Sequence, residues 1–509
     1  MKKKKAIILS YINMALNFPI NLFLMPMLID SLTDNYYSIY RIVQSFAGPL
    51  ILFSLGVSTI VAREIVSCKS DEGADRIKQN SIALSMLASS FMAVIVLLVS
   101  LCMCTAIPSI YGQNYSPEDI KIGQIVYIIF TISIIFHILT DSFTGIILGH
   151  QGFTFHSVIG LTKTILKAIL IVAFLSLGYG VIAVASVDLI LSLIAFIMST
   201  FYSFVVAKER PKLYYWDKKK IIEIFSYAFA ILLQSIVTQI NNSVDTMVLG
   251  AVEKEKYIIT MYSCALTIYS IYNSLVSIIS NYFLPDAIRL AKNNATGKEL
   301  TDFVIRPGRF QAMLAIAILS IFSINGSQFI TLWVGPKYGD AFFVTLILIV
   351  PVTIPLVENV AISILDATLK RKYRSYTLAG MALFNFILTV VLVKRIGFYG
   401  AAIATALSLI IGHGLLMNLY YKKEYKMEIK RLFLSIFHKT LLCGVFSSLV
   451  LILVNKLGFW GMITNGWIVF ILRCSLQFLI YILLLYTWGM NDNERSIISG
   501  FTNHFVRNK

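Results

Sequence analysis

The stretch FSYAFAILLQSIVTQINNSVDTMVLG, residues 225–250, decides the fold. At about 1.5 Å per residue, a helix of this length crosses a hydrocarbon core of about 30 Å. Its polar side chains recur at steps of four, three and four and share one helical face: Gln234, Thr238, Asn241 and Asp245. Because a carboxylate in the bilayer interior costs about 2.5 to 3.5 kcal/mol, we expect this face to border a protein interior or a water-filled cavity. Alternatively, the amides only hold neighbouring helices together.

The composition of the whole chain predicts an all-α integral membrane protein. Of its 509 residues, 58% are hydrophobic and 14% are charged, whereas charged residues make up about 25% of a soluble domain. Apolar runs of about twenty residues predict about fourteen transmembrane helices. They cover residues 7–29, 40–62, 80–106, 122–147, 155–177, 181–206, 222–249, 258–284, 309–333, 341–366, 375–393, 398–420, 433–454 and 464–488.

The basic residues fall mainly on alternate links between these runs, and the chain begins with lysines at positions 2–5. By the positive-inside rule, this pattern places both termini in the cytoplasm. A basic belt on the inner side of the second half includes Arg309, and we expect most of the side chains in this belt to be solvated. The net charge of +17 is then a topology signal and a contact for anionic membrane lipids, and it requires no nucleic-acid partner.

A basic link at residues 210–220 divides the chain near its midpoint, and the pattern restarts beyond it. GVIAVAS at 180–186 matches GAAIATA at 400–406, an offset of about 220 residues. An even number of helices separates the two copies, which predicts parallel repeats related by a pseudo-twofold axis along the membrane normal. The alternative is a chance match among small and aliphatic residues. The predicted domains are a six-helix lobe at 1–207, a basic cytoplasmic linker at 208–221, a second six-helix lobe at 222–423, and two additional helices with a cytoplasmic tail at 424–509.

Cations and amides inside the apolar runs are candidate ligands for a polar substrate. Lys163 and Lys167 lie four residues apart in the fifth run, and Lys167 is too deep for an interfacial side chain. Arg41, in the second run, is either an interfacial residue at a helix end or a cation lining the outer part of a cavity. Asn17 and Asn21 follow one another at a step of four in the first run and give that helix an amide face.

Ionisable residues in the later runs are candidates for binding a coupling ion. His137 and Asp141 lie four apart in the fourth run, a geometry that permits a proton relay. A lone histidine in a membrane helix is more often a hydrogen-bonded packing residue. The offset between the repeats sets His137 against Glu358, so each lobe has an ionisable residue at this position of its fourth helix. Asp245 and Glu358 are the acidic candidates.

The motifs that the sequence lacks narrow the class of function. There is no G-x-x-x-x-G-K-[ST] loop for a nucleotide phosphate, no H-E-x-x-H and no zinc-type cysteine and histidine spacing. We therefore expect no cofactor and no metal. The outer links are short, so recognition of a substrate has to take place inside the helix bundle, which favours a transporter over an enzyme.

Several short motifs, in this order and spacing, resemble one family of membrane proteins. They are ILGHQGF at 147–153, DTMVLG at 245–250, YSCA at 262–265 and GFYGAAIATA at 397–406. Together with the fourteen runs and the basic midpoint, they are similar to the polysaccharide-transport family of the multidrug, oligosaccharidyl-lipid and polysaccharide exporter superfamily. The resemblance implies a flippase that moves an undecaprenyl-diphosphate-linked oligosaccharide across the bacterial inner membrane, for O-antigen, capsule or exopolysaccharide. Related peptidoglycan-precursor flippases carry several arginines in the first helix, and this chain has none between Lys5 and Asp30.

With this substrate, each candidate residue takes an expected role. We expect the diphosphate to contact Lys167, Lys163 and Arg41, since cations in a low-dielectric cavity attract phosphate strongly. The expected sugar ligands are Asn17, Asn21, Gln234, Asn241, Tyr262 and Tyr269. A coupling proton or sodium ion would bind Asp245 and Glu358, with His137 and Asp141 as further candidates. The other expected partners are membrane lipids and a polysaccharide polymerase. The rival functions are a cation-coupled multidrug exporter of the same superfamily and a membrane-embedded enzyme of glycan assembly.

Overall fold

The structure, a computed structural model, describes residues 2–54, 56–67, 74–218, 222, 243–277, 290, 296–367, 371–458, 460 and 463–496. These residues are helical almost throughout and contain no β-strand. In chain order the helices of this part are α1 Lys2–Ala47, α2 Val57–Ser67, α3 Ala74–Tyr111, α4 Pro117–Gly149, α5 Phe153–Ser176, α6 Val181–Phe201, α7 Ser243–Val252, α8 Lys256–Ser277, α9 Gly297–Val334, α10 Ala341–Val357, α11 Asn359–Ala367, α12 Arg371–Ile396, α13 Phe398–Leu409, α14 Asn418–Tyr425, α15 Ile429–Lys456 and α16 Gly466–Leu484. Short 3-10 or π-helical segments lie at Gly48–Ser54, Tyr202–Val206, Pro336–Tyr338, Ile410–Met417 and Leu485–Gly489.

Local sequence signals fix where several helices begin. The hydroxyl of Ser116 accepts a hydrogen bond from the backbone N–H of Asp119 at 3.2 Å, and a proline opens α4 directly after it. At the start of α9, Thr296 and Glu299 form a reciprocal capping box, with the threonine N–H donating to the glutamate at 2.7 Å. Each cap satisfies backbone groups that would otherwise lack a partner at the helix end.

The helices confirm the predicted all-α membrane fold. In the described part, ten helices are long and apolar enough to cross a membrane, and α7 and α10 are shorter apolar helices. Each predicted run corresponds to described helices, except that most of the run at 222–249 lies outside the described residues. The first two runs form one long apolar stretch, Ile12–Val66, in which α1 is broken at Thr33 by a backbone with φ 61° and ψ 164°. The break lies in the predicted link between these two runs.

The chain forms two compact units. Unit 1 consists of Met1–Ser263 with Thr389–Ala401, and unit 2 consists of Cys264–Leu388 with Ala402–Lys509. The division into lobes at 1–207 and 222–423 stays a prediction.

In unit 1, α4 packs against α1, α2, α3 and α6. Its side chains Val126, Tyr127, Ile138 and Ile146 are fully buried in this core. A glycine allows the closest approach to α2, because a Cβ atom at Gly145 would lie 2.6 Å from the Val61 Cβ. Small residues at helix contacts are typical of membrane bundles, in which close packing drives association.

In unit 2, buried polar groups hold α9 against α15 and α16. Gln477 of α16 accepts a hydrogen bond from Asn325 of α9 at 2.9 Å and donates to the carbonyl of Ser320 at 2.8 Å. Arg309 is an exception to the solvation expected for most of the basic belt, because this side chain is only 4% exposed. Its guanidinium pairs with Glu494 at 2.5 and 2.9 Å and also donates to two backbone carbonyls. Arg309 thus fixes residues 489–494 to α9 inside the protein.

Candidate functional site

Lys167 lies in the middle of α5 and forms an ion pair with Asp188 of α6. The ammonium nitrogen lies 2.9 Å from the carboxylate oxygen, and the two side chains are 35% and 23% exposed. The backbone carbonyl of Asp188 accepts a hydrogen bond from the Ser133 hydroxyl of α4 at 2.9 Å. The structure therefore places Lys167 in contact with an acid of a neighbouring helix, well inside the helix and away from its ends.

Arg41 is also held by the protein. Its Nε atom donates to the hydroxyl of Ser263 at 3.1 Å, and its Nη1 atom donates to Gln44 at 3.2 Å. The neighbouring Tyr40 is buried and interacts electrostatically with both Arg41 and Asp188. These contacts join Arg41 to α8, and its role as an interfacial residue or as a cation lining the outer part of a cavity stays a prediction.

Lys163 lies about one helical turn before Lys167 in α5. It is partly buried and interacts electrostatically with His137 of α4, with His156 and with Asp188. Within the described residues, Lys163 has no hydrogen bond or ion pair, and the buried His137 Nδ1 atom has no hydrogen-bond partner. We call Arg41, Lys163 and Lys167, together with Tyr40, His137 and Asp188, the cationic cluster. The cluster contains three basic side chains and one carboxylate, so its formal charge is positive inside membrane-spanning helices.

The amide face of α1 lies beside this cluster. Asn17 donates to the carbonyl of Asn13 at 3.0 Å and to the hydroxyl of Thr164 at 3.1 Å, while Thr164 donates to the Asn13 side chain at 2.7 Å. These bonds tie α1 to α5 one residue from Lys163. Asn17 thus serves at least as a contact between helices, and Asn21, one turn further on, is exposed. Their role as sugar ligands stays a prediction.

Asp141 contacts the start of α2. One of its oxygens accepts the backbone N–H of Ser58 at 3.0 Å, within the first turn of that helix. A carboxylate is stabilised there by unpaired N–H groups and by the positive end of the helix dipole. No hydrogen bond joins Asp141 to His137 among the residues that the structure describes. The contact gives Asp141 a structural role, and its part in a relay stays a prediction.

Asp245 is a buried carboxylate of unit 1. It is 3% exposed and accepts hydrogen bonds from the Tyr262 hydroxyl at 2.5 Å and from the Thr389 hydroxyl at 3.4 Å. These partners come from α8 and α12, so Asp245 joins three helices. Tyr262 is itself 1% exposed, and its hydroxyl is directed at the carboxylate.

Glu358 is a buried acid of unit 2. It lies between α10 and α11, 2% exposed, and accepts a hydrogen bond at 2.7 Å from the side-chain nitrogen of Asn418. The same nitrogen donates to the carbonyls of His413 and Gly414, in the π-helical segment before α14. The side-chain oxygen of Asn418 is buried and has no partner within the described residues. A carboxylate can accept a proton, and carboxylate and amide oxygens are ligands that hard cations prefer.

Some of the predicted ligands lie elsewhere. Gln234 and Asn241 are outside the described residues. Tyr269 packs in unit 2 against a core that contains Tyr272, whose hydroxyl bonds to Thr353 at 2.6 Å.

Sequence reasoning did not select four residues that the structure brings to these sites: Asp188, Ser263, Thr389 and Asn418. Asp188 gave a signal, as an acid in an apolar run. The other three are small or neutral side chains, and they gave none.

Comparison with known proteins gives a family and a fold. The model of the family described as "Polysaccharide biosynthesis protein" matches residues 3–288. In fold, the chain is similar to a lipid II flippase MurJ in an inward closed conformation, with a TM-score of 0.73 at 17% identity, covering 94% of this chain and 97% of that one. It is also similar to an inward-facing multidrug resistance MATE family transporter of the MOP superfamily, with a TM-score of 0.57 at 13% identity, covering 82% and 94%. A MATE protein in complex with MaD3S gives a TM-score of 0.56 at 15% identity, covering 84% and 96%. No curated protein matches the sequence.

Proposed function

Since the chain belongs to the polysaccharide biosynthesis protein family, we propose that it is a flippase for an undecaprenyl-diphosphate-linked oligosaccharide in the bacterial inner membrane. It moves the oligosaccharide repeat unit across the membrane by alternating access, for assembly of O-antigen, capsule or exopolysaccharide. The fold shared with a lipid II flippase and with MATE transporters supports a transporter of the MOP superfamily.

The cationic cluster of unit 1 is the observation that carries this proposal. Cations in membrane helices are costly and rare, and they mark ligand pathways where the protein does not neutralise them fully. Here Asp188 pairs with Lys167, while Lys163 and Arg41 have no acid within hydrogen-bond distance among the described residues. A diphosphate is dianionic and accepts several charge-assisted hydrogen bonds, so it matches the excess charge of the cluster.

The cluster also suggests how the headgroup is bound and released. The diphosphate first approaches Lys163 and Arg41, and it then competes with Asp188 for the Lys167 ammonium. When the carboxylate recovers Lys167, the headgroup loses one of its cations and leaves. The sugar hydrogen-bonds to Asn17, Asn21, Gln234, Asn241, Tyr262 and Tyr269, and the polyprenyl chain stays in the lipid.

The buried acids are the proposed sites for a coupling proton or sodium ion. Asp245 and Glu358 each lie among neutral hydrogen-bonding groups in their own unit, so a change in their protonation or ion occupancy alters bonds between helices. His137 and Asp141 are further candidates for the proton path. We propose that ion exchange at these acids biases the equilibrium between the conformations that open to each side.

The rival is a cation-coupled multidrug exporter. The coverage of the solved structures favours the flippase, because the flippase match extends over 94% of this chain and the two MATE matches over 82% and 84%. The excess of cations in the cluster also favours an anionic substrate over a cationic drug. An enzyme of glycan assembly is less compatible with the family and the transporter fold.

The test uses a strain that lacks the protein and accumulates its lipid-linked oligosaccharide. In that strain we expect the variants K167Q and K163Q to reduce export of the polysaccharide about tenfold or more, since each loses a charge-assisted contact. The matched control is K121Q, which removes an exposed cation from the first turn of α4, outside the cluster. The amount of inserted protein is measured for each variant. Full export by a K163Q/K167Q double variant at wild-type protein levels would exclude the cluster as the headgroup site.

A further inference from the structure

A segment of unit 1 with no role in the proposed transport follows the end of α6 and its π-helical turn. We call residues 208–218 the basic strap. Its first anchor is Glu209, which is 4% exposed. The carboxylate lies 2.8 Å from the Lys78 ammonium of α3 and 2.8 Å from the His150 ring at the end of α4. The Glu209 N–H donates to the carbonyl of Ser203 at 3.0 Å. The strap is therefore attached to three helix ends at this point.

The second anchor is Asn80 of α3. Its side-chain oxygen accepts the backbone N–H groups of Tyr214 and Tyr215 at 2.8 and 3.1 Å, and Asn80 is only 2% exposed. The Tyr214 hydroxyl also donates to Gln79 at 3.0 Å. A buried amide that binds two successive backbone groups fixes the path of an extended chain, so the strap has a defined position on α3.

Between and after the two anchors, the strap exposes basic and aromatic side chains. Trp216 is 69% exposed, and Tyr214 and Tyr215 are 42% and 47% exposed. The exposed cations around them are Lys208, Arg210, Lys212, Lys218 and Arg76. The charges of Arg76 and Lys212 lie 5.9 and 5.4 Å from the centre of the Tyr214 ring, which is within range of a cation–π interaction.

From this arrangement we propose that the basic strap binds the headgroups of anionic phospholipids at the membrane surface. It lies beside the first turns of α3 and the ends of α4 and α6, which are membrane-crossing helices, so it is level with the lipid headgroups on that side. Tryptophan and tyrosine prefer this interface, and lysine and arginine attract anionic lipids there. Each cation near an anionic surface raises lipid affinity about fivefold.

The charge around the strap favours lipid over an acidic protein partner. Of the acids in and near the strap, Glu209 is buried with Lys78 and His150, the exposed Asp75 lies 3.3 Å from Lys78, and Asp217 is partly buried. The five exposed cations outnumber these acids. The cations are spread along an extended chain, with the large exposed ring of Trp216 near its C-terminal end. This pattern suits several mobile headgroups and the interfacial layer beneath them, whereas a folded partner needs a contiguous surface of larger area.

The test is tryptophan fluorescence of the full chain reconstituted in phosphatidylcholine vesicles that contain phosphatidylglycerol. We expect brominated phosphatidylglycerol to quench the emission more than brominated phosphatidylcholine does. Trp216 is one of five tryptophans, so its complete quenching accounts for up to one fifth of an even emission. The excess should disappear in W216F and in the charge variant K208Q/R210Q/K212Q.

The matched control is K121Q/K394Q/R395Q, which removes the same number of exposed cations from unit 1 outside the strap. We expect it to retain the excess quenching. Equal quenching by the two brominated lipids in the wild-type protein overturns the proposal, and so does an excess that the charge variant retains. A change in Trp216 emission that occurs only when a soluble protein is added, without excess quenching by brominated phosphatidylglycerol, would overturn the proposal and identify the strap as a protein contact. Because this readout involves no transport, its result is independent of the proposed flippase activity.

Discussion

The replacement of Asp188 by asparagine gives the sharpest test of how the cationic cluster works. In the proposed function, Asp188 competes with the diphosphate for Lys167. The distance of 2.9 Å is that of a charge-assisted hydrogen bond, but the side chains are 23% and 35% exposed, so solvent screens the pair. Its net value is then about 1 kcal/mol. Removal of the competing charge should therefore tighten binding of undecaprenyl diphosphate by about fivefold.

The assay is equilibrium binding of undecaprenyl diphosphate to the protein in lipid nanodiscs. We expect D188N to bind about fivefold more tightly than wild type and K167Q to bind more weakly. The matched control is S133A, which removes the hydroxyl that donates to the Asp188 backbone and leaves the charges unchanged, so its affinity should equal that of wild type. Thermal unfolding of each variant shows whether the fold is intact. Unchanged or weaker binding by a folded D188N would refute competition between the carboxylate and the headgroup.

Three further predictions concern stability. A Cβ at Gly145 overlaps atoms of α2, so G145V should lower the free energy of unfolding by about 1 to 3 kcal/mol in a detergent melt. The control is G380A, which should leave the free energy of unfolding unchanged because a Cβ there meets no atom within 4 Å. Burial lowers the pKa of Lys256, which precedes the predicted run at 258–284, to about 8, below its unfolded value near 10.4. The unfolded chain therefore binds more protons between these values, stability should rise with pH from about 8 to 10, and K256M should flatten that rise in the melting temperature. Loss of the Glu494 carboxylate in E494A leaves Arg309 buried and unpaired, which should cost about 3 to 5 kcal/mol; a melt like that of wild type would contradict this role.

The parts of the fold that hydropathy determines were predictable from the sequence. A helix in lipid has to satisfy its own backbone hydrogen bonds and present apolar side chains to the lipid. Both requirements are local, so the positions of the helices follow from the apolar runs of the sequence. Lys167 was also identifiable, because a cation deep in an apolar run needs a partner or a cavity wherever the helix lies.

The partners of the candidate residues were not predictable, because each contact joins positions far apart in the chain. Ser58 precedes Asp141 by 83 residues, and Ser263 follows Arg41 by 222. The spacing of four residues, about one helical turn, suggested a relay between His137 and Asp141. The start of α2, however, offers Asp141 backbone N–H groups that no local sequence pattern reveals. Arg309 shows the same limit, since the acid that neutralises it belongs to the other end of unit 2.

Satisfaction of hydrogen bonds separates the buried polar residues into two physical classes. Arg309 and Gln477 have partners for their charge or amide groups, so the cost of burying them is offset within the fold and their removal should mainly affect stability. Lys163, the His137 ring and the Asn418 oxygen lack such partners in the described part of the chain, although a polar group in a membrane protein is costly without one. Such groups are tolerated when a ligand, an ion or water supplies the missing hydrogen-bond partner during part of the transport cycle. For this reason, variants of the second class should impair binding or transport at nearly unchanged melting temperature, whereas a loss of stability equal to that of E494A would place them in the first class.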